Sequence, residues 1–468
     1  MENPTLAIEW RADLAGDVDA SCLPAATRLY TLRRVTEDRR ARLTRAAATF
    51  ELVDLEPHDL EDRRLLRDIP PEQRVITWRG RAATRDELAS ILRALSHTPA
   101  RLYRLELEIT HGGEALLPLQ LLRDVGRRDV TAYALGPLGF WTRILAPQMG
   151  ARIAFGGAAP EEPNPDAMPS IEQWRDDYGY PDAPSVREIF GIVGCPVLRS
   201  LSPRLHNAGF RALGRPALYL PFHAPDFGEF WTPLIEERGL EELGFDVGAL
   251  CVVSPHKEVA LAAAGARTPM VSRAGSTNFF VNEGGVWTAD TTDPEGVLLT
   301  LREKGIEPRN LRVAVVGCGG SGRAVAAALQ QAGAQVTLVN RGFDRASLAV
   351  RLLRLPFRPL ASFSVRGYSI VVNATPVGYR ADEMPFDIEH LADDAVIVDL
   401  VYGAEPTALI AISRARGQIT IDGRDVLRTQ AMSQFHLMTG EPMPPEVPRR
   451  ILGWEESVVA VAAAGGDA

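Results

Sequence analysis

Two charged residues near the middle of the chain have side chains suited to proton transfer. Lys257 ends the segment Cys251-Val-Val-Ser-Pro-His-Lys257, which has the pattern of a strand running into a turn. Asp293 ends the segment Trp287-Thr-Ala-Asp-Thr-Thr-Asp293, a turn that opens a helix. A lysine with a lowered pKa, oriented by a carboxylate, can exchange the proton of a hydroxyl group during hydride transfer. Both residues are candidate catalytic groups, although lysine and aspartate in loops are more often solvated surface residues.

Lysine is rare in this chain, and its rarity bears on Lys257. Of the 51 basic residues only Lys257 and Lys304 are lysine. Coding bias is the simplest explanation, yet arginine can replace lysine on a surface but not where a proton must leave. Lys304 lies in Arg-Glu-Lys-Gly near a helix end and fits a surface position. Lys257 does not, so its retention indicates chemistry.

A glycine-rich turn further along predicts a dinucleotide site. The apolar run Arg312–Val316 reads as a buried parallel strand, Arg323–Ala334 as a helix and Gln335–Asn340 as a second strand. The turn between the first strand and the helix satisfies G-x-G-x-x-G, and in this context its backbone and the helix N-terminus can bind a pyrophosphate. A glycine-rich turn of some other α/β protein is the alternative. The predicted site comprises Gly317, Gly319, Gly320, Ser321 and Gly322.

The end of the second strand indicates which dinucleotide is bound. NAD sites usually carry a carboxylate there for the ribose 2′-hydroxyl, and NADP sites supply arginine for the 2′-phosphate. Asn340 and Arg341 occupy this place, with Arg345 one turn later. NADP is therefore favoured, while Asp344 keeps NAD as a less favoured alternative.

A third candidate segment is Ser200-Leu-Ser-Pro-Arg-Leu-His-Asn207. Ser200 and Ser202 could hydrogen-bond a polyol or a carboxylate. A helix N-cap followed by proline would explain Ser202 without any ligand, but not Ser200.

Bulk properties describe an ordinary soluble protein with two or three domains. The chain has 468 residues, is 46% hydrophobic and carries a net charge of −9. This charge argues against a general nucleic-acid or anionic-membrane binder. No run of 18 apolar residues occurs, and the four cysteines lack metal-type spacing. We expect a cytoplasmic protein with reduced thiols and no metal, nucleic-acid or membrane partner.

The chain alternates strand and helix patterns almost throughout. Seven apolar runs in residues 1–157 predict βα units in a barrel or an open parallel sheet. Residues 158–184 are rich in Pro, Asp and Glu and read as a linker. A second alternating segment runs from Glu188 to about residue 296, and a helical end is predicted at Gly423–Gly440.

Residues 188–440 resemble shikimate dehydrogenase. Eight segments occur in the family's order: SLSPRLHN, PHKE, GSTN, TTDPEG, GCGGSGRA, NATPVG, DLVYG and GRDVLRTQAMSQF. The resemblance implies NADP-dependent reduction of a 3-keto group on a cyclohexene carboxylate, with a homodimer as the assembly to test. It implies that Lys257 and Asp293 form the catalytic pair. The substrate contacts implied are Ser200, Ser202, Asn278, Tyr402 and Gln430, and the further cofactor contacts are Asn340, Arg341, Arg345, Asn373 and Thr375.

Four departures from the family pattern concern the substrate pocket and the phosphate site. Cys251-Val-Val253 stands where Asn-Val-Thr is usual, which removes a hydroxyl, and Phe279 stands where the family has threonine. Thr291 replaces the asparagine of Asn-Thr-Asp, and Gly342 replaces a threonine or serine near the phosphate. Losing donors from a hydroxyl-binding site changes discrimination by up to about 10⁴-fold. Shikimate, quinate and an amino- or deoxy-analogue therefore all remain candidate substrates.

The N-terminal region resembles type I 3-dehydroquinate dehydratase, a (β/α)₈ barrel that works through a Schiff-base lysine. The segments that carry this resemblance are EWRAD, YTLR, VDLE and GFWTR. Residues 1–256 contain no lysine, and the matching position is Arg104, which cannot form an imine. The barrel's first strand and helix also have no room at the N-terminus. Arg11, Arg33 and Arg143 could still bind a carboxylate, with a structural role as the alternative.

The sequence therefore predicts an α/β protein of three parts. Residues 1–182 form an incomplete (β/α) barrel-like domain without dehydratase activity. Residues 183–296, together with 421–455, form the substrate domain, and residues 297–420 form a Rossmann domain. The leading hypothesis is an NADP-dependent dehydrogenase. The alternative is a non-catalytic sensor of the quinate and shikimate pathway, which the degenerate first part favours and the retained Lys257 and Asp293 oppose.

Overall fold

The computed structural model describes residues 3–158, 164, 166–380, 382–403 and 405–453. Within these residues the chain forms three sheets, one after another along the sequence. Single turns of 3₁₀ helix lie at Ala20–Cys22, Pro57–Glu61, Pro71–Gln73, Gly112–Ala115, Ala146–Met149, Val259–Ala263 and Leu360–Ser362, and a π-helical turn lies at Thr232–Glu236.

The first sheet is parallel and contains all seven strands that the sequence predicts. Its strands are β1 (Thr5–Arg11), β2 (Thr27–Thr31), β3 (Leu52–Leu55), β4 (Arg74–Gly80), β5 (Leu102–Leu107), β6 (Val130–Ala134) and β7 (Ile153–Gly156). Their order is β6-β5-β4-β3-β2-β1-β7, so β6 and β7 are the two edges of this sheet. The helices of this region are α1 (Ala12–Ala15), α2 (Arg39–Ala46), α3 (Arg63–Asp68), α4 (Arg85–Leu95), α5 (Leu116–Val125), α6 (Gly136–Leu145) and α7 (Ile171–Asp176).

One face of the first sheet is layered, because side chains two residues apart on a strand share a face. The layer nearer the N-terminal ends of the strands is an apolar cluster of Ala7, Leu29, Leu52, Val75, Leu102, Ile153 and Phe155. Two residues further along five of the strands, the buried side chains are polar or charged: Glu9, Thr31, Asp54, Thr77 and Arg104. The opposite face is apolar and packs against the helices.

The prediction of a linker at residues 158–184 is wrong for the described part of that segment. Ile171–Asp176 is helical, and the side chains of Trp174, Tyr178 and Tyr180 are buried in the core. Trp174 donates a hydrogen bond to the Phe155 carbonyl oxygen at 3.0 Å. Most of the Pro, Asp and Glu residues that suggested a linker precede Trp174 or follow Tyr180, and the buried aromatic side chains decide the packing of the segment. Residues 159–163 and 165 lie outside the described residues.

The second sheet is mixed. Its strands are β8 (Glu188–Gly194), β9 (Ala217–His223), β10 (Asp246–Val252), β11 (Ala266–Arg267), β12 (Phe279–Glu283) and β13 (Val286–Asp290), in the order β11-β13-β12-β10-β8-β9. The strands β8, β9 and β10 are parallel, and β12 runs antiparallel to both of its neighbours. The helices here are α8 (Ser202–Ala212), α9 (Phe227–Trp231), α10 (Gly239–Glu242) and α11 (Pro269–Ala274).

The third sheet is parallel and doubly wound. Its strands are β14 (Arg312–Val316), β15 (Gln335–Asn340), β16 (Phe357–Pro359), β17 (Ile370–Asn373), β18 (Val396–Asp399) and β19 (Ile419–Ile421). The order β16-β15-β14-β17-β18-β19 is the 3-2-1-4-5-6 order of dinucleotide-binding sheets. Its helices are α13 (Gly320–Gln331), α14 (Phe343–Leu353) and α15 (Ala408–Ala415).

Three further helices join the last two sheets. They are α12 (Asp293–Glu303), α16 (Gly423–Thr439) and α17 (Glu446–Leu452). The helices α12 and α16 pack against each other, so the chain segment after the third sheet returns to the second. Gly440, which ends α16 in the left-handed conformation, confirms the predicted C-terminal helix.

The first two sheets share one hydrophobic core. The helix α6 packs on the edge strand β9, and the rings of Trp141 and Phe222 lie 5.6 Å apart across this contact. A single apolar cluster extends from Leu6 to Ala289, whereas the apolar clusters flanking the third sheet are separate. The N-terminal region is therefore built into the second sheet rather than attached by a flexible tether.

Candidate active site

Lys257 and Asp293 meet although 36 residues separate them. Lys257 lies in the turn after β10, and Asp293 is the first residue of α12. Lys257 Nζ donates to Asp293 Oδ2 at 2.7 Å. The carboxylate is buried and lies at a helix N-terminus, where the helix dipole favours negative charge. His256 fixes the turn, because its Nε2 lies 2.6 Å from the Ala224 carbonyl oxygen.

Two amides hold the other oxygen of Asp293. Asn278 Nδ2 and Gln430 Nε2 donate to Asp293 Oδ1 at 2.9 and 2.8 Å. Asn278 precedes β12 and Gln430 lies on α16, so elements from three parts of the sequence fix the carboxylate. With Lys257 included, three donors orient it, and its position is set before any ligand arrives.

Ser321 is a second acceptor for Lys257. Its hydroxyl, in the glycine-rich turn, receives a hydrogen bond from Lys257 Nζ at 2.7 Å. An ammonium group has three N–H donors. Among the residues that the structure describes, Asp293 and Ser321 use two of them, and the third is free for a substrate oxygen.

The predicted substrate contacts Ser200, Ser202 and Tyr402 lie near one another. The Ser202 backbone N–H donates to Ser200 Oγ at 3.2 Å, and Ser202 begins α8. The Ser200 hydroxyl and the Leu201 backbone also face the Tyr402 phenol, and burial raises the pKa of Tyr402. Because β8 and β10 are neighbouring parallel strands, the segments after them emerge at the same edge of the sheet.

Two of the departures from the family pattern lie inside the protein. Phe279 is fully buried in the core beside Phe210 and Phe435, so its aromatic ring is part of the packing and does not line a pocket. Burial raises the pKa of the Cys251 thiol to about 12, which keeps it uncharged. The expectation that Phe279 reshapes the substrate pocket directly is therefore wrong.

The glycine-rich turn has the geometry of a phosphate cradle. Gly317 has φ +109°, a region that favours glycine, and a Cβ on Gly322 would lie 1.9 Å from the Gly317 carbonyl oxygen. A Cβ on Gly319 would meet no atom within 4 Å, so this side of the turn is open. The turn leads directly into α13, whose N-terminal N–H groups face the opening.

The strand β15 ends in Asn340 instead of a carboxylate residue, and Arg341 follows it. Asn340 is used within the chain, since its Oδ1 accepts from the Cys318 N–H at 3.1 Å and its Nδ2 donates to the Gly342 carbonyl oxygen at 2.7 Å. Arg341, Asp344 and Arg345 are exposed. Asn340 thus ties the glycine-rich turn to the strand, and Arg341 and Arg345 are available for a phosphate.

The side-chain amide of Asn373 bonds to other groups of the chain. Asn373 is fully buried, and its Nδ2 donates to Asp399 Oδ1 at 2.8 Å and to the Val377 carbonyl oxygen at 3.0 Å. Its Oδ1 accepts from the Thr375 hydroxyl at 2.7 Å. Direct cofactor contact by Asn373 is therefore not supported, because its amide is consumed in shaping the loop that carries Thr375.

Sequence reasoning missed a second layer of polar residues. Asn278 Oδ1 accepts from the Thr292 N–H at 2.8 Å, and Gln434 Nε2 donates to Thr292 Oγ1 at 2.9 Å. Gln434 is one helical turn beyond Gln430, and this i, i+4 spacing was a signal that could have found it. Through these contacts Gln434 orients Thr292, and Thr292 orients Asn278, which in turn donates to Asp293.

The first sheet carries a separate buried ion-pair system, the Arg104 network, which comprises Arg104, Glu9, Asp54, Thr77 and Glu106. Arg104 donates to Glu9 Oε2 at 2.8 Å, Asp54 Oδ2 at 2.9 Å and Thr77 Oγ1 at 2.9 Å. Burial raises the pKa of Asp54 to about 6. Burial would also raise the pKa of Glu106, but the charges of Arg104 and its neighbours hold it well below the ordinary value.

The three arginines predicted to bind a carboxylate surround this network. Arg11 and Arg33 both pair with Asp166, a carboxylate of the chain itself. Arg143 is buried against the Tyr133 ring, with its guanidinium carbon 4.0 Å from the ring centre, and its Nε and Nη1 have no partner among the described residues. The chain thus satisfies two of these arginines internally.

No protein-family model matches the chain, but individual proteins do. The shikimate dehydrogenase (NADP(+)) of Methanocella arvoryzae is 36% identical over 271 residues, covering 56% of this chain and 97% of that relative. The corresponding protein of Natronomonas pharaonis is 35% identical over 262 residues, covering 55% and 96%.

Solved structures agree with these relatives. The shikimate 5-dehydrogenase of Thermus thermophilus, in complex with NADP(H) and shikimate, is 30% identical with a TM-score of 0.50 and covers 56% of this chain and 99% of its own. The quinate dehydrogenase of Corynebacterium glutamicum, in complex with NAD, is 26% identical with a TM-score of 0.51 and covers 56% and 98%. These matches span nearly all of each relative and slightly more than half of this chain.

Two further classes of feature are absent from the described residues. Within them no helix is both long and apolar enough to cross a membrane. The same part of the chain contains no group of three or more His, Cys, Asp or Glu side chains arranged to hold a metal ion.

Proposed function

Because the chain belongs to the shikimate dehydrogenase family, we propose that it is an NADP-dependent oxidoreductase acting on shikimate or a close analogue such as quinate or aminoshikimate. The observation that carries this proposal is the Lys257–Asp293 pair at 2.7 Å, with one lysine donor left free beside an open glycine-rich turn. The pair fits proton exchange with a substrate hydroxyl.

The proton step is assigned to Lys257. NADP, when bound, accepts or supplies the hydride. In its uncharged form, Lys257 Nζ takes the hydroxyl proton when the alcohol is oxidised and becomes the ammonium; in the reverse direction the ammonium returns that proton to the substrate oxygen. Asp293 holds the lysine, and Asn278 and Gln430 hold Asp293. Ser200, Ser202 and Tyr402 are placed to bind the hydroxyl and carboxylate groups of the ring, and they orient the carbon that exchanges hydride.

NADP fits the residues that would hold it. The turn Gly317–Gly322 and the N-terminus of α13 receive the pyrophosphate, and Arg341 and Arg345 receive the 2′-phosphate. Arginine binds phosphate through paired N–H donors, and both side chains are exposed at the end of β15. Thr375 lies on the loop that Asn373 shapes, and we assign it to the same site.

The division of the chain into three sheets supports a proposed assignment of three domains. Residues 1–182 are assigned to a type I dehydratase-like (β/α) domain, residues 183–296 with 421–455 to the substrate domain, and residues 297–420 to the NADP domain. Residues 454 and 455 lie outside the described residues. The N-terminal domain is assigned no dehydratase activity, because residues 1–256 contain no lysine and Arg104 is enclosed in ion pairs.

The test is the reduction of NADP⁺ and NAD⁺ by the purified protein with shikimate, quinate and aminoshikimate in parallel. We expect turnover with one of these acids and a preference for NADP⁺. Absence of turnover with all three, while NADPH binds, would contradict the proposed reaction. Borohydride treatment with 3-dehydroquinate should leave no covalent adduct, and an adduct would contradict the assignment of the N-terminal domain.

A further inference from the structure

The Lys257–Ser321 hydrogen bond joins the proton-transfer group to the cofactor turn. Ser321 lies between Gly320 and Gly322, in the turn whose open side is assigned to the pyrophosphate. Its Oγ accepts from Lys257 Nζ at 2.7 Å, the same distance that separates Nζ from Asp293 Oδ2. Lys257 is therefore held from two sides, by the Asp293 carboxylate and by a hydroxyl of the cofactor turn.

The two segments are fastened together around this bond. Ser276 Oγ donates to the Gly320 carbonyl oxygen at 3.0 Å, and a Cβ on Gly320 would lie 3.0 Å from the Lys257 Cβ. Arg323 is fully buried and donates to the carbonyl oxygens of Ala274, Gly275 and Cys318 at 2.6, 3.1 and 3.0 Å. The Ser321 hydroxyl thus has little freedom to move away from Lys257.

A hydroxyl that accepts one hydrogen bond still has its own proton to donate. Ser321 is in the first turn of α13, so the acceptor within reach of that proton is a phosphate oxygen of a bound dinucleotide. Hydrogen bonds in such a chain polarise one another, and a negative acceptor strengthens the bond from Lys257 to Ser321. Cofactor binding would therefore favour the charged form of Lys257.

We propose that Ser321 is a positioning residue that couples occupancy of the cofactor site to the placement and proton affinity of Lys257. This inference rests on the proposed function and assigns to the glycine-rich turn a role beyond phosphate binding. Coupling of this kind is reciprocal, so the protonation of Lys257 must also change the affinity for the cofactor.

The other groups that face Lys257 set the background for this coupling. They are Asp293 from α12 and the Cys251 thiol from β10, together with Glu258 in the next position of the turn. Glu258 is paired with Arg323 at 2.9 Å. None of these groups is altered by replacing Ser321, so a change in the pH behaviour of a Ser321 variant reports on the hydroxyl itself.

The first test compares Ser321→Ala with Ser321→Thr, which keeps a hydroxyl, and with Ser276→Ala, which removes a contact to the same turn without touching Lys257. We expect Ser321→Ala to lower kcat by about tenfold and to raise the KM for NADP⁺ by about three- to tenfold, because the hydroxyl also donates to the phosphate. The acid limb of its kcat/KM profile for alcohol oxidation should move to lower pH, because a charged lysine loses an acceptor. Ser321→Thr should restore the profile, and Ser276→Ala should leave the acid limb in place. An unmoved acid limb in Ser321→Ala, or an equal shift in Ser276→Ala, would overturn the inference.

The second test needs no turnover and so separates this inference from the proposed reaction. Calorimetry of NADPH binding in buffers of different ionisation enthalpy measures the protons taken up on binding. We expect uptake by the parent protein to fall by about twofold or more in Ser321→Ala and in Lys257→Met, and to persist in Ser276→Ala. Equal uptake by all four proteins would overturn the inference even if the parent oxidises shikimate. If no acid in the panel is oxidised but uptake depends on Ser321, the proposed reaction fails and the coupling stands.

Discussion

The Arg104 network and the Lys257–Asp293 pair each place a cation against carboxylates. They differ in the number of carboxylates around the cation and in whether the cation has an N–H donor free. Arg104 is fully enclosed and contacts two carboxylates directly, with a third 3.6 Å away. Lys257 has one carboxylate and one hydroxyl, and its side chain is 17% exposed. Arginine retains its proton at all accessible pH values, whereas lysine can release one. A closed network of arginine stabilises a structure, and a lysine with a free donor can do chemistry.

The most direct test of this comparison replaces the lysine, the cation that can release a proton. Lys257→Met should lower turnover by about 10³-fold, since a positioned acid–base group contributes about 10² to 10⁴. Lys304→Met, at the only other lysine, is the matched control and should retain activity, because Lys304 is exposed at the end of α12. Steady-state assays with the active acid measure both. Residual turnover near the parent level in Lys257→Met would end the assignment of the proton step.

Replacing Arg104, the fully enclosed cation, should lower the stability of the fold and leave the catalytic rate unchanged. Arg104→Met leaves Glu9, Asp54 and Glu106 buried without their main partner, and breaking a buried ion pair from one side costs about 3–5 kcal/mol. Urea unfolding measures the loss, and kcat of the folded variant should stay near the parent value. Arg28→Met, which removes an ion pair with the partly exposed Glu51, is the matched control and should change the unfolding free energy far less, because solvent screens this pair. A loss of kcat without a loss of stability would reverse the roles assigned to the two regions.

A third variant tests whether an arginine binds the 2′-phosphate of the cofactor. Arg341→Ala removes a guanidinium from the proposed 2′-phosphate site, and the affinity for NADPH should fall by about 10- to 100-fold while NADH affinity changes little. Fluorescence titration with both nucleotides measures the ratio. Arg351→Ala, on the exposed side of α14, should leave both affinities unchanged. Equal losses for NADPH and NADH would show that Arg341 does not read the 2′-phosphate.

The smallest effect is the pH dependence of the closed network. The pKa of Asp54 is about 6 in the folded protein against an ordinary value of 3.8, so protonation of Asp54 favours the folded state. Its contribution is complete below about pH 4 and is lost as the pH rises through about 6. Relative to Asp54→Asn, the unfolding free energy of the parent should therefore fall by about 2 kcal/mol between pH 4 and 7. Urea unfolding at several pH values measures this difference, and a difference that grows with pH would contradict the sign.

Local pattern was enough to predict most of the elements. The strand Gln335–Asn340, the glycine-rich turn and the helix ending at Gly440 are where the sequence indicated them, because each depends on neighbouring residues. The Lys257–Asp293 pair was predicted through family motifs, since nothing local brings together residues 36 positions apart.

Other features depend on contacts that no short pattern contains. Arg104 pairs with Glu9, 95 positions away in the sequence, and Ser321 accepts a hydrogen bond from Lys257, 64 positions away. The polar segment after β7 was misread because Trp174 and its tyrosine neighbours outweigh the Pro and Asp around them. The burial of Phe279 was likewise invisible, because its strand position and not its residue type decides which way the ring points.

The core shared by the first two sheets has a consequence for how the protein melts. Because Trp141 and Phe222 belong to one apolar cluster, residues 1–182 and the second sheet should lose their structure in a single cooperative transition. The third sheet has its own clusters and can melt separately. Only this second transition should rise in temperature when NADPH is added, since a ligand stabilises the part that binds it. Scanning calorimetry would then find two thermal units in a chain of three sheets, divided between the second sheet and the third, where Lys257 meets Ser321.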